Sequence, residues 1–124
     1  MLEDGLYASQ SALADPAMVD RLARLLRATV AGWRDAVAPS HQAEAVALVL
    51  RDAAPAVLDR HHERRMLREV AKLLPESGHG LGYLDPAAYQ RTVDVLLGAP
   101  TNPVIRQKPE GAWTRAVWDK AFRR

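Results

Sequence analysis

The sequence predicts a mainly α-helical fold, and three observations indicate it. Apolar residues recur at three- and four-residue intervals over most of the 124-residue chain. Alanine, the best helix former, makes up much of the 48% apolar content. Prolines and glycines separate the periodic stretches, as they do between helices. We therefore expect five helices and at most one short strand, close to the first residue.

The only strand character lies in residues 5–8 (GLYA), which precede the first helix. A lone strand cannot satisfy its own backbone hydrogen-bonding groups, so a strand here needs a sheet to join. No second strand is predicted elsewhere in the sequence. We therefore expect the strand's neighbours to lie in another part of a larger protein.

The first two helices are predicted over residues 16–37 and 41–54. Asp15 is placed to cap the first helix, and Pro16 suits its first position because a proline there loses no hydrogen bond. Pro39 ends this helix. Its apolar face carries Leu22, Leu26, Val30 and Trp33. We expect this face to exceed what the chain itself can cover.

Three more helices are predicted over residues 56–74, 86–97 and 110–122. Asp85 and Pro86 repeat the start signal of the first helix, and glycines before them indicate a loop over residues 76–84. The last helix is predicted from a four-residue apolar spacing, formed by Trp113, Val117 and Ala121.

Composition excludes several classes of protein. Cysteine is absent, which excludes disulfides and thiolate zinc sites. No apolar run approaches the length of a membrane span, and no signal peptide is visible, so the chain is expected in the cytoplasm if it is expressed as it stands. The formal net charge is +2, and carboxylates alternate with the arginines. We therefore expect solvated helix faces and no nucleic-acid partner.

The histidine pair His61-His62, followed by Glu63, is the first candidate for catalytic chemistry. A zinc hydrolase helix needs a second histidine four residues after the first, and Met66 stands at that position after His62. The loop with Gly80 and Gly82 lacks the lysine of a phosphate-binding loop. We therefore expect no catalysis, no metal and no cofactor. A small hydrolase built around the histidine pair is the enzyme alternative.

Glu3 and Asp4 are the candidate ligand-binding residues. If residues 2–7 form a hinge strand, these carboxylates lie near a cleft, where they could meet a cationic or hydrogen-bonding ligand.

Five segments, taken in order, resemble the C-terminal third of the substrate-binding proteins of ABC importers, in the class that takes up nitrate, sulfonates and taurine. This class includes proteins related to the binding of thiamine-pyrimidine precursors. The segments are EDGLY (3–7), DPAMVDRL (15–22), AGW (31–33), LDPAAYQRTVD (84–94) and KPEGAWT (108–114). The resemblance covers nearly the whole chain, although no single segment is diagnostic.

The resemblance implies a five-helix fragment of a periplasmic-binding-protein-like II (α/β) fold, with residues 1–124 forming one C-terminal segment. Such two-lobed proteins close over a small organic anion or pyrimidine-like solute and deliver it to an ABC permease in the membrane. By resemblance the whole protein is periplasmic. Most ligand contacts of the family come from upstream strands and loops, so this chain alone is not expected to bind solute.

The alternative to a fragment is a free-standing helical module for protein–protein interaction. Both interpretations predict helix faces too apolar for an isolated domain, and both therefore predict self-association through those faces.

Overall fold

A computed structural model describes residues 5–52, 59–74, 79–98 and 104–123. This part of the chain is mainly helical, as the sequence predicts. Its helices are α1 (Gln10–Ala14), α2 (Pro16–Val37), α3 (Gln42–Asp52), α4 (Arg60–Leu73), α5 (Pro86–Leu97) and α6 (Ala116–Phe122).

The bounds predicted for α2 and α5 are confirmed, and local signals set both. The backbone N–H of Ala17 donates to Asp15 Oδ1 at 2.8 Å, and the N–H of Ala87 donates to Asp85 Oδ1 at 3.1 Å. In each case a proline follows the capping aspartate, and its missing N–H is one the helix would leave unpaired anyway. The loop before α5 is confirmed over its described residues 79–84.

The structure differs from the predicted helices at one start and has one additional helix, and one predicted end and one predicted start cannot be compared with it. The last helix begins at Ala116 and not at residue 110, because Gly111 has φ +59°, which an α-helix does not accommodate. The starts and ends predicted over residues 53–54 and 56–58 lie outside the described residues. Helix α1 was not predicted; it begins after Ser9, whose hydroxyl accepts from the N–H of Ala12 at 3.2 Å.

The strand predicted over residues 5–8 is absent: these residues form neither strand nor helix in the structure. Tyr7 is 94% exposed and Leu6 is 71% exposed. A strand forms only where a neighbouring strand accepts its hydrogen bonds, and none is present among the described residues.

The chain divides into two compact units. Unit 1 comprises the chain up to Leu26 and from Gly82 onward, and unit 2 comprises residues 27–81, so that α2 contributes its first half to one unit and its second half to the other. Both units bury aliphatic residues of α2: Ala23 and Leu26 in unit 1, and Val30 in unit 2.

Unit 1 buries Ala23, Leu26 and Val93, and aromatic rings around α5 and α6 contact one another beside them. The rings of Tyr83 and Trp118 meet edge to face with their centroids 5.0 Å apart, and Phe122 lies 5.4 Å from Trp118. Tyr89 contacts Trp113 at 5.8 Å. Edge-to-face and tilted ring pairs of this kind add to the stabilisation from burial alone.

Unit 2 is built from the second half of α2 with α3 and α4. Helices α3 and α4 pack on one another, and Val46 of α3 is buried together with Val30 of α2. Leu67 and Val70 of α4 are half-buried. Unit 2 thus has a small core, in keeping with its short helices.

Candidate functional site

The predicted ligand-binding residues Glu3 and Asp4 lie outside the described residues. The neighbouring segment is described from Gly5 onward, and it is exposed and without regular secondary structure up to Ser9. The prediction of a cleft at this point therefore stays a prediction.

The histidines are dispersed. His61 and His62 are exposed on the first turn of α4, and the part of the chain that the structure describes holds no group of three His, Cys, Asp or Glu residues suited to a metal ion. His41 Nδ1 lies 2.7 Å from Asp35 Oδ1, an exposed pair that joins the end of α2 to the start of α3. This pair is a surface contact between neighbouring helices.

An open apolar groove lies in unit 2. It has a volume of about 520 Å³ and is formed by α2, α3 and α4. We call it the unit 2 groove. Its lining residues are Thr29, Gly32, Trp33, Ala36, Ala45, Val46, Leu48, Val49, Glu63, Met66, Leu67 and Val70.

The walls of the unit 2 groove combine buried and exposed apolar side chains. Val46 at its base is buried, whereas Trp33 is 40%, Val49 49% and Met66 47% exposed. Volumes of a few hundred cubic ångströms with mostly apolar walls are typical of small-molecule sites, in which a few polar groups orient the ligand.

Glu63 is the one ionisable side chain among the lining residues. It lies in the first turn of α4 and is half-buried. No ion pair joins it to another described residue, although carboxylates elsewhere on the described helices are paired, such as Glu69 with Lys72 at 2.7 Å. The unit 2 groove therefore offers an unpaired negative charge on an otherwise apolar wall.

Helix α4 carries a second electrostatic feature, a set of exposed arginines. The set comprises Arg60, Arg64, Arg65 and Arg68. The nearby hydrogen bond from Lys72, more than these arginines, holds the pKa of Glu69 below its ordinary value. None of the four arginines lines the unit 2 groove.

Arg115 has a structural position in unit 1. Its Nη1 donates to the hydroxyl of Tyr83 at 3.1 Å, and its guanidinium carbon lies 5.9 Å from the centre of the same ring. Arg115 thus connects the start of α6 with the loop before α5.

Sequence reasoning missed the groove side chains of α3, above all Leu48 and Val49. A signal was present: residues 45–50 are six consecutive apolar residues. A helix that is apolar on every side exceeds what one packing face can bury, so some of these side chains must remain exposed or meet another surface.

Over the described residues, no helix has both the length and the apolarity that a membrane crossing requires. Comparisons with protein-family models, with curated protein sequences and with solved structures found no match.

Proposed function

We propose that this chain is the C-terminal segment of the solute-binding component of an ABC importer. The solute is a small organic anion or a pyrimidine-like molecule of the nitrate, sulfonate and taurine class. The whole protein is periplasmic, delivers its solute to an ABC permease and has no catalytic activity. In this proposal the segment belongs to a periplasmic-binding-protein-like II fold and does not bind solute alone.

The observation that carries this proposal is the exposed stretch from Gly5 to Ser9, which forms no regular secondary structure. It lies in the EDGLY segment of the family resemblance, and Tyr7 is 94% exposed. A stretch with strand character that no described part of the chain pairs is what a segment separated from its sheet should show. The mainly helical remainder is consistent with helices that cover such a sheet.

A chimera tests the proposal directly. In a taurine-binding protein of this class, residues 1–124 replace the matching C-terminal segment, and taurine binding is measured by calorimetry. We expect the chimera to bind taurine within about tenfold of the parent, since most contacts come from upstream strands. The 124-residue chain alone should bind neither taurine, alkanesulfonates, nitrate nor aminopyrimidines.

Substitutions at Tyr7 provide the matched control. Tyr7→Pro removes a backbone N–H that a sheet would need, so it should abolish folding of the chimera while leaving the helicity of the 124-residue chain unchanged. Tyr7→Phe should be neutral in both. A chimera that does not bind taurine, or stoichiometric solute binding by the 124-residue chain alone, would contradict the proposal.

The second candidate is a free-standing helical module for protein–protein interaction, which the exposed side chains of the unit 2 groove favour. It predicts self-association or capture of a partner through that groove. Size-exclusion chromatography with light scattering distinguishes it: an oligomer that Val49→Asp converts to a monomer supports the module, and a monomer at all concentrations opposes it.

A further inference from the structure

The lining of the unit 2 groove combines a large apolar surface with one charged group. The polar side chains on it are those of Thr29 and Glu63. Glu63 is half-buried, and an ammonium group placed beside its carboxylate would form a charge-assisted hydrogen bond. The lining is therefore complementary to a molecule with an apolar body and one positive charge.

The size of the groove favours a small molecule over a protein partner. Twelve residues line it, and its volume is about 520 Å³. A stable protein–protein interface needs about 20 to 30 residues on each side, whereas small-molecule sites have volumes of about 300 to 1,000 Å³. The unit 2 groove falls in the second range and well below the first.

We propose that the unit 2 groove binds a small apolar amine. The hydrocarbon body lies against Trp33, Val49 and Met66, and the ammonium group donates to the carboxylate of Glu63. This site is independent of the solute proposed above, because it needs no residue from another part of a larger protein.

Two arginines on α4 carry positive charges that disfavour a cationic ligand. Arg60 and Arg64 lie close to Glu63 in the sequence of α4, and both are exposed. If their charges determined the electrostatic potential in the groove, it would bind an anion more tightly than a cation. Since neither lines the groove, the local charge at its wall is that of Glu63. Whether the groove binds an amine or an acid more tightly therefore shows whether the charge of Glu63 or that of the two arginines dominates there.

Three probes of equal length compare the charges: 4-phenylbutylamine, 4-phenylbutanol and 4-phenylbutyrate. Their affinities for the complete 124-residue chain are measured by titration of backbone amide NMR signals at neutral pH. We expect the amine to bind about fivefold more tightly than the alcohol, as one partly exposed ion pair allows, and the acid to bind more weakly than the alcohol. The largest shifts should be at residues of α2, α3 and α4 that line the groove.

Two pairs of variants locate the site. Glu63→Gln should lower amine affinity to that of the alcohol, whereas Glu69→Gln, on the same helix outside the groove, should change nothing. Gly32 lies within α2, and apart from its chain neighbours and the backbone of its own helix no described atom is within 4 Å of a Cβ built there. Gly32→Leu should therefore fill the groove and weaken all three probes at least tenfold, whereas Gly32→Ala should bind them as the unsubstituted chain does.

Several results would overturn the proposal. These are equal affinity for amine and alcohol, tightest binding of the acid, or full binding by the Gly32→Leu chain with its helicity intact. A dimer that buries the unit 2 groove and excludes the probes would overturn it as well. None of these results bears on taurine binding by the chimera, so the two proposals fail independently.

Discussion

In unit 1 aromatic rings contact one another directly, whereas in unit 2 short aliphatic side chains meet between three helices. Trp118 contacts rings on both sides, at 5.0 Å and 5.4 Å. Trp33 of unit 2 instead lines an open groove and is 40% exposed. The same residue type thus makes ring contacts in one unit and lines an open groove in the other.

The difference follows from the area that each side chain can bury. An aromatic ring buries about 150 to 250 Å² and spans the gap between distant backbones. Alanine and valine, which make up five of the eleven residues of α3, bury far less and require close helix approach. Unit 2 therefore has the residues to form helices but too little side-chain volume to fill the space between them, and the groove is the result.

The largest expected effect compares the two tryptophans. Trp118→Ala should lower the free energy of unfolding by about 2 to 3 kcal/mol, because it removes the ring that joins Tyr83 to Phe122. Trp33→Ala should cost less than Trp118→Ala, by about 1 kcal/mol, because Trp33 is already 40% exposed. Urea denaturation followed by circular dichroism measures both.

A conservative variant controls the first of these effects. Trp118→Phe keeps a ring between the same neighbours and should recover more than half of the loss. Equal losses for the two alanine variants would show that the contrast between the units is wrong.

A smaller effect is expected at the N-caps, one from each unit. Asp85 accepts from the N–H groups of Ala87 and Ala88 at 3.1 and 3.3 Å, whereas Asp59 accepts from that of His61 at 3.1 Å. Alanine at either position should cost about 1 kcal/mol, with the larger loss at Asp85 because two donors lose their acceptor. Thermal unfolding by circular dichroism ranks the two.

Asparagine at either cap is the corresponding control, because its side-chain oxygen still accepts from the helix. Each asparagine variant should retain most of the stability. A greater loss of stability at Asp59 than at Asp85 would contradict this ranking. It would show that α4 depends on its N-cap more than α5 does.

Local signals made much of the fold predictable from the sequence. The aspartate–proline pairs at Asp15 and Asp85 set the starts of α2 and α5, and such caps act within a few residues. The start predicted for α6 was wrong for the opposite reason. The spacing of Trp113 and Val117 resembled a helix face, yet Trp113 precedes the helix and contacts Tyr89, which is distant in sequence.

The unit 2 groove could not be predicted, since it depends on how much of each apolar face its neighbours cover. The face that includes Leu26, Val30 and Trp33 illustrates this. We expect this face to exceed what the chain itself can cover, but Leu26 and Val30 are buried and Trp33 is 40% exposed. The sequence shows which side of a helix is apolar, and tertiary packing determines how much of that side is buried.

The smallest expected effect concerns a surface pair of unit 2. Lys72 Nζ lies 2.7 Å from Glu69 Oε2, and this hydrogen bond is the main cause of the lowered pKa of Glu69. Lys72→Met should return that pKa toward its ordinary value, because the remaining arginines contribute less. Side-chain carboxyl NMR signals followed against pH measure the shift.

The sign of the linked stability effect follows from this direction. A carboxyl whose pKa is lower in the folded chain stabilises it above the unfolded pKa, and this contribution is lost as the pH falls through the folded pKa. The Lys72→Met chain should therefore lose less stability on acidification than the unsubstituted chain, by a small amount because both groups are exposed. An unchanged Glu69 pKa in this variant would assign the shift to Arg65 and Arg68 and make the arginines of α4 the stronger charge on the surface of unit 2.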